Sequence, residues 1–219
     1  MPTRRLALIA AAALTATAAF AAPAKEAAKP HAKAADAAPA KPADMSLGSP
    51  RAKVELVEYA SLSCPHCARF NNDVFPAFRT RYVDTGKVRY TLREMLTPPA
   101  QVAAAGFLLA RCAGPAKYFK VVDEVFRSQP RWTEGDGDIR PIFLEIAKNN
   151  GLTEPQFDAC LSDQAGLAAL QARVQTAVSA GVNATPTFFI NGKKVGEGEM
   201  TLEQLDAAIA EAKKPKKGG

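Results

Sequence analysis

Val54-Glu55-Leu56-Val57-Glu58-Tyr59-Ala60-Ser61-Leu62-Ser63-Cys64-Pro65-His66-Cys67-Ala68-Arg69-Phe70-Asn71-Asn72-Asp73-Val74-Phe75-Pro76-Ala77-Phe78 holds two periodicities that meet at a pair of cysteines. The apolar run up to Ala60 reads as a buried strand, expected over Ala52–Ala60. Phe70, Val74 and Phe78 recur every four residues, which predicts a helix over Cys64–Tyr82, bent near Pro76. Cys64 therefore falls where a strand turns into a helix. Unpaired backbone N–H groups and the helix dipole favour negative charge there, so its thiol is expected to ionise readily. A second thiol at Cys67 makes the pair a dithiol–disulfide switch.

Outward from that centre, the chain alternates twice between sheet and helix signals. Asp84-Thr85-Gly86-Lys87 is a turn, and Val88–Met95 alternates as a second strand. Together with the first strand and helix this is a βαβ unit with parallel strands. Five helices are then expected: Pro99–Cys112, Ala116–Ser128, Ile139–Asn149, one opened by Thr153-Glu154-Pro155, and Leu167–Ala180. Strand signals return at Thr187–Ile190. Asn191-Gly192 is a hairpin turn, Lys193–Gly196 the return strand, and Leu202–Ala212 a closing helix. The order βαβ, helical block, ββα predicts an α/β layered domain whose sheet joins both ends of the chain.

The segments before this domain read differently. Arg4 and Arg5 precede a run, Leu6 to Phe20, that is mostly Ala and Leu, and Ala19-Phe20-Ala21 has the small-x-small form of a cleavage site. Residues 1–21 are thus expected to be a signal peptide, too short and Ala-rich for a membrane anchor. Residues 22–45, rich in Ala, Lys and Pro, are expected to be a flexible linker. Residues 46–212 form the folded domain, with 97–181 as its helical insertion, and 213–219 a basic tail. The net charge of +6 does not belong to the fold, because residues 45–212 carry 18 basic and 19 acidic side chains. No nucleic-acid-binding face is expected. In an oxidising compartment the four cysteines read as disulfide chemistry.

A strand leading into Cys64-Pro65-His66-Cys67, with Ala184-Thr185-Pro186-Thr187-Phe188-Phe189-Ile190-Asn191-Gly192 ahead of a hairpin, resembles the thioredoxin superfamily. The His-containing motif and the long helical insertion make the chain similar to its DsbA branch, the envelope thiol oxidases. The resemblance implies that Cys64 is the attacking sulfur, that Cys67 closes the disulfide, and that Pro65 and His66 tune the Cys64 pKa. X-Pro bonds are cis in only about 5–6% of cases, so sequence statistics favour trans at Pro186; the resemblance implies cis. That would set Thr185 beside the cysteines and offer its backbone to a substrate strand. DsbA oxidases often have Val where this chain has Thr185. Glu58 shares its strand face with Leu56 and Ala60. In the family, an acidic residue here shuttles the proton of the second cysteine; an edge-exposed or salt-bridged Glu58 is the alternative. Cys112 and Cys160 are expected to form a structural disulfide, as in some DsbA-like proteins, against the alternative of two buried thiols. Trp132 reads as a core anchor.

The expected activity is therefore a periplasmic protein-disulfide oxidoreductase, acting mainly as an oxidase without cofactor or metal. Its expected partners are the thiols of unfolded exported proteins and a membrane quinone reductase resembling DsbB, and it is expected to be a monomer. The rivals are a disulfide isomerase or reductase of the same fold, and a metal carrier using both thiolates and His66. Three nearby ligands fall short of the closed four-ligand pattern of structural zinc.

Overall fold

The computed structural model describes residues 44–214 except Asp136. The expected signal peptide, most of the linker and the last five residues of the tail lie outside the described residues. Five strands form one mixed sheet in the order β1-β3-β2-β4-β5: β1 Met45–Leu47, β2 Val54–Ala60, β3 Val88–Glu94, β4 Thr187–Ile190 and β5 Lys193–Glu197. β2 and β3 run parallel, with Val54 opposite Val88 and Ala60 opposite Glu94. β4 pairs antiparallel with β2, so the two ends of the domain meet in the middle of the sheet. The fold is α/β, of thioredoxin type with a helical insertion.

β1 has no counterpart among the expected strands. Met45-Ser46-Leu47 is three residues long and begins on the last residue of the expected linker. It pairs antiparallel with Tyr90–Leu92 and places the start of the fold one residue earlier than expected.

The helical run after the cysteines also departs from a single helix. It consists of α1 Pro65–Arg69, a π-helical turn Phe70–Val74, α2 Phe75–Phe78 and a second π-helical turn Arg79–Val83. Pro76 explains the first interruption, because its nitrogen has no hydrogen to donate to the carbonyl four residues back. The wide turn ends just ahead of it, and Pro76 sits in the first turn of α2, where a donor is not needed. The extra residue per turn keeps Phe70 and Phe78 fully buried on the sheet side.

The insertion comprises α3 Ala100–Cys112, α4 Tyr118–Thr133, α5 Arg140–Asn149, α6 Glu154–Leu161 and α7 Gln164–Ser179; α8 Leu202–Ala212 closes the chain. α4 runs through Pro130 and carries Trp132 into the core, five residues beyond the expected end. Thr153 caps α6 with the reciprocal bonds of a capping box to Gln156. Alternation along β2 divides the core. Val54, Leu56 and Ala60 pack with Phe70, Phe188 and Leu205, whereas Val57 and Tyr59 pack with Met95, Ala177 and Val182. Among the described residues no helix is long and apolar enough to cross a membrane.

Candidate active site

Cys64 caps α1. Its backbone is extended, with φ −81° and ψ 122°, and Pro65 follows in the first turn. Proline's fixed φ is already helical and its missing N–H would be unsatisfied there in any case. The loop that delivers Cys64 is held from several sides. Cys64 N–H donates to the Ser61 carbonyl at 3.0 Å. Ser63 Oγ donates to the Thr97 carbonyl at 2.7 Å, and Thr97 N–H donates to Ser61 Oγ at 3.0 Å. From α4, the buried Gln129 amide donates to the Leu62 and Cys64 carbonyls at 2.9 and 3.2 Å. The insertion therefore supports the loop directly, and nothing in the spacing of Gln129 signals that contact 65 residues away.

Both thiols are reduced and buried, Cys64 at 6% and Cys67 at 0% exposure. Their surroundings drive them apart. The Cys64 thiol is lowered to about 5, first by a hydrogen bond from Cys67, against the opposing cost of burial, then by Thr185 and by the backbone N–H groups of Cys67 and His66. The Cys67 thiol is raised well above its ordinary value, chiefly by burial. The sequence points to the helix terminus and the His66 side chain as the causes. The structure puts the neighbouring thiol first, and the backbone N–H groups after it.

The Thr185–Pro186 peptide is cis. It brings Thr185 against the cysteines, where the Cys64 S–H donates to the Thr185 carbonyl at 3.4 Å. Thr185 Oγ1 is buried and has no hydrogen-bond partner among the described residues. Its hydroxyl can therefore turn toward a Cys64 thiolate, which the Val common in the family could not do.

Beneath Cys67, Glu58 is 2% exposed, opposite Leu92 and Phe188 in the sheet. It is neither edge-exposed nor salt-bridged. Tyr90 Oη donates to its Oε2 at 2.6 Å. Burial pushes Glu58 up to about 8, with Tyr90 pulling down and the Cys64 charge pushing up. A carboxyl poised there can hold or release a proton close to neutral pH.

His66 is half-exposed. Its Nδ1 lies 2.5 Å from Glu199 Oε1 and 2.7 Å from Arg69 Nη2. One ring nitrogen can donate to the carboxylate or accept from the guanidinium, not both. Among the described residues no three His, Cys, Asp or Glu side chains converge in a metal-binding group. No motif in the sequence marks Arg69 or Glu199; Arg69 is one helical turn beyond His66, and Glu199 lies past the hairpin. Cys112 and Cys160 are bonded to each other across α3 and α6, away from this centre.

Comparison with known proteins agrees with this geometry. A thioredoxin family model matches residues 40–211. The chain is 32% identical over 171 residues to a Rickettsia bellii protein described as "Putative protein-disulfide oxidoreductase", covering 77% of this chain and 64% of that one. The chain thus spans less than two thirds of that relative's length. Among solved structures it resembles Wolbachia pipientis α-DsbA1, with 29% identity and a TM-score of 0.71, covering 78% of this chain and 91% of that one. BdbD from Bacillus subtilis shares the fold, at 21% identity and a TM-score of 0.68 over 77% of this chain and 92% of that one. A cysteine pair at a strand–helix junction, a cis-proline loop beside it and a helical insertion, taken with these matches, place the chain in the thioredoxin family, in its DsbA-like form.

Proposed function

We propose that the chain is a thiol:disulfide oxidoreductase that donates a Cys64–Cys67 disulfide to exported proteins as they fold in the periplasm. The reading rests on one observation: the two sulfurs have opposite acidities, Cys64 near 5 and Cys67 well above an ordinary thiol. A stabilised Cys64 thiolate favours the reduced protein, and a disulfide whose reduced form is stable is a strong oxidant.

The steps follow from that asymmetry. A substrate thiolate attacks Cys64 in the disulfide form; a substrate–Cys64 bond forms and the Cys64–Cys67 bond breaks. Cys67 leaves with the electron pair and, with its raised pKa, takes a proton, which Glu58 in its protonated form is placed to give. The second substrate thiolate then attacks the substrate sulfur of the mixed disulfide. Cys64 departs as a thiolate, a good leaving group because its pKa is low. The substrate loses two electrons and the cysteine pair gains them. The cis Thr185–Pro186 loop supports substrate binding by backbone pairing.

The leader in residues 1–21 supports export. Recycling falls to a membrane quinone reductase resembling DsbB. The protein works as a monomer, consistent with a linker that lacks the apolar spacing of a coiled coil. Mixing the oxidised protein with a dithiol peptide tests the reading. One peptide disulfide should form per Cys64–Cys67 pair consumed, and scrambled ribonuclease should not regain activity. Failure to oxidise the peptide, or efficient rescue of the ribonuclease, would overturn it.

A further inference from the structure

Outside the cysteine motif, three charged side chains converge beside it. Glu199 Oε1 accepts from Arg69 Nε at 2.8 Å and from Arg69 Nη2 at 2.5 Å, and lies 2.5 Å from His66 Nδ1. The backbone on either side fixes where this carboxylate can be. Gly198 N–H donates to the Pro186 carbonyl at 2.8 Å. A φ of +80° at Gly198 makes that turn one for glycine. On the other side Met200 is buried, and Thr201 caps α8 with a capping box. Glu199 is therefore tied to the Pro186 loop through the backbone of the preceding Gly198, and to α1 through its own side chain. It straps the two halves of the site together.

The charges that face the Cys64 sulfur make this strap matter. Arg69 feels the Cys64 charge, as do Cys67 and Glu58 from below. His66 and Arg69 are the basic side chains of α1. Both have a carboxylate as partner, and neither side chain donates to the sulfur. The thiolate is left to the Cys67 thiol, Thr185 and backbone N–H groups.

We propose that Glu199 is a positioning residue that moderates the oxidising strength of the Cys64–Cys67 pair by claiming His66 and Arg69 as its own partners. This deepens the oxidoreductase reading and rests on it. The sign follows from charge. Replacing Glu199 by Gln removes one negative charge from the trio and releases the Arg69 guanidinium, which feels the Cys64 charge. The thiolate is stabilised and the reduced protein is favoured.

The test is the equilibrium of the full chain with glutathione, for the wild type, Glu199→Gln, Glu199→Asp and the double variant Glu199→Gln/Arg69→Gln. Glu199 is 41% exposed, so these changes leave the core intact. Glu199→Gln should shift the equilibrium toward reduced protein by about threefold or more, the effect of one charge several ångströms away in a watery setting. Glu199→Asp keeps the charge and should stay within about twofold of wild type. Removing Arg69 as well should return the double variant toward wild type. An unchanged equilibrium in Glu199→Gln, a shift toward oxidised protein, or an equal shift in the double variant would each overturn the proposal. The wild-type constant judges the oxidase reading, whereas the ratio of variant to wild type judges Glu199, so the two can fail separately.

Discussion

Cys64 and Cys67 are the same residue type three positions apart, and the difference between them is built from neighbours. Cys64 gains hydrogen bonds in its charged form, while burial and then the neighbouring Cys64 and Glu58 disfavour a charge on Cys67. This has a consequence for stability against pH. The folded-state pKa of Cys64, about 5, lies below the ordinary value of 9.0. Its contribution to the reduced protein is complete above pH 9 and lost as pH falls through about 5. Glu58 acts in the opposite sense. Its folded-state value of about 8 lies above 4.5, so it costs stability as pH rises through that interval, but it is present in both redox forms. The melting temperature of the reduced protein minus that of the oxidised protein should therefore rise between pH 5 and pH 9; a flat difference would count against a specially acidic Cys64. Glu58 gives a second prediction. Replacing it with Gln removes the cost of burying a carboxyl and should raise stability at neutral pH by roughly 3 kcal/mol, with no gain near pH 4. The same variant should slow release of Cys67 from its disulfide. Urea unfolding at the two pH values and single-turnover peptide oxidation check both halves.

At the scale of elements, the loop from Ser61 to Cys64 depends on a side chain of the insertion. Gln129 is buried and gives both its amide hydrogens to that loop. Gln129→Leu leaves the Leu62 and Cys64 carbonyls without that donor and should cost about 1–3 kcal/mol in urea unfolding. How much of the architecture can be read from sequence also turns on particular elements. β2, β3, the β4–β5 hairpin and α8 are legible because their apolar spacing matches the period of the element they form. Asn191 and Gly192, with φ of +48° and +81°, adopt the positive values that their turn signal implies. β1 is not legible, since three residues carry no period and its pairing with β3 is decided by tertiary contact. The π-helical turns are hidden for another reason. Phe70, Val74 and Phe78 suit an ordinary helix, and only the missing donor at Pro76 hints at the interruption. In α4, the expected end at Ser128 falls just ahead of Pro130, yet the helix runs on to Thr133 with Trp132 buried. The site shows the same division. Cysteines, proline and Glu58 announce themselves by motif and strand position, whereas Gln129, Tyr90, Arg69 and Glu199 arrive through the fold.

For the whole molecule, the question is what fastens the insertion to the sheet. Glu94 ends β3 and is 2% exposed. Its carboxylate accepts from Arg111 Nε of α3 at 2.6 Å, from Tyr118 Oη of α4 at 3.1 Å, and from Arg173 of α7. One residue thus joins the sheet to three helices. Glu94→Ala would leave two largely buried guanidinium groups without their counter-charge and should cost about 3–5 kcal/mol. Thermal and urea unfolding will show whether sheet and insertion still melt together. The Cys112–Cys160 bond, 48 residues apart in sequence, closes a loop within the insertion and should contribute roughly 4 kcal/mol by loop-closure entropy. Its removal by paired Ala substitution should lower stability while leaving peptide oxidation in place.

These contributions serve a framework whose purpose is a single acidic sulfur. Thiolate absorbance in the ultraviolet, followed through a pH titration of the reduced protein, reads that sulfur directly. The midpoint should fall at about 5 and vanish in Cys64→Ser. A midpoint near that of free cysteine, about 8.5, would contradict the account at its centre.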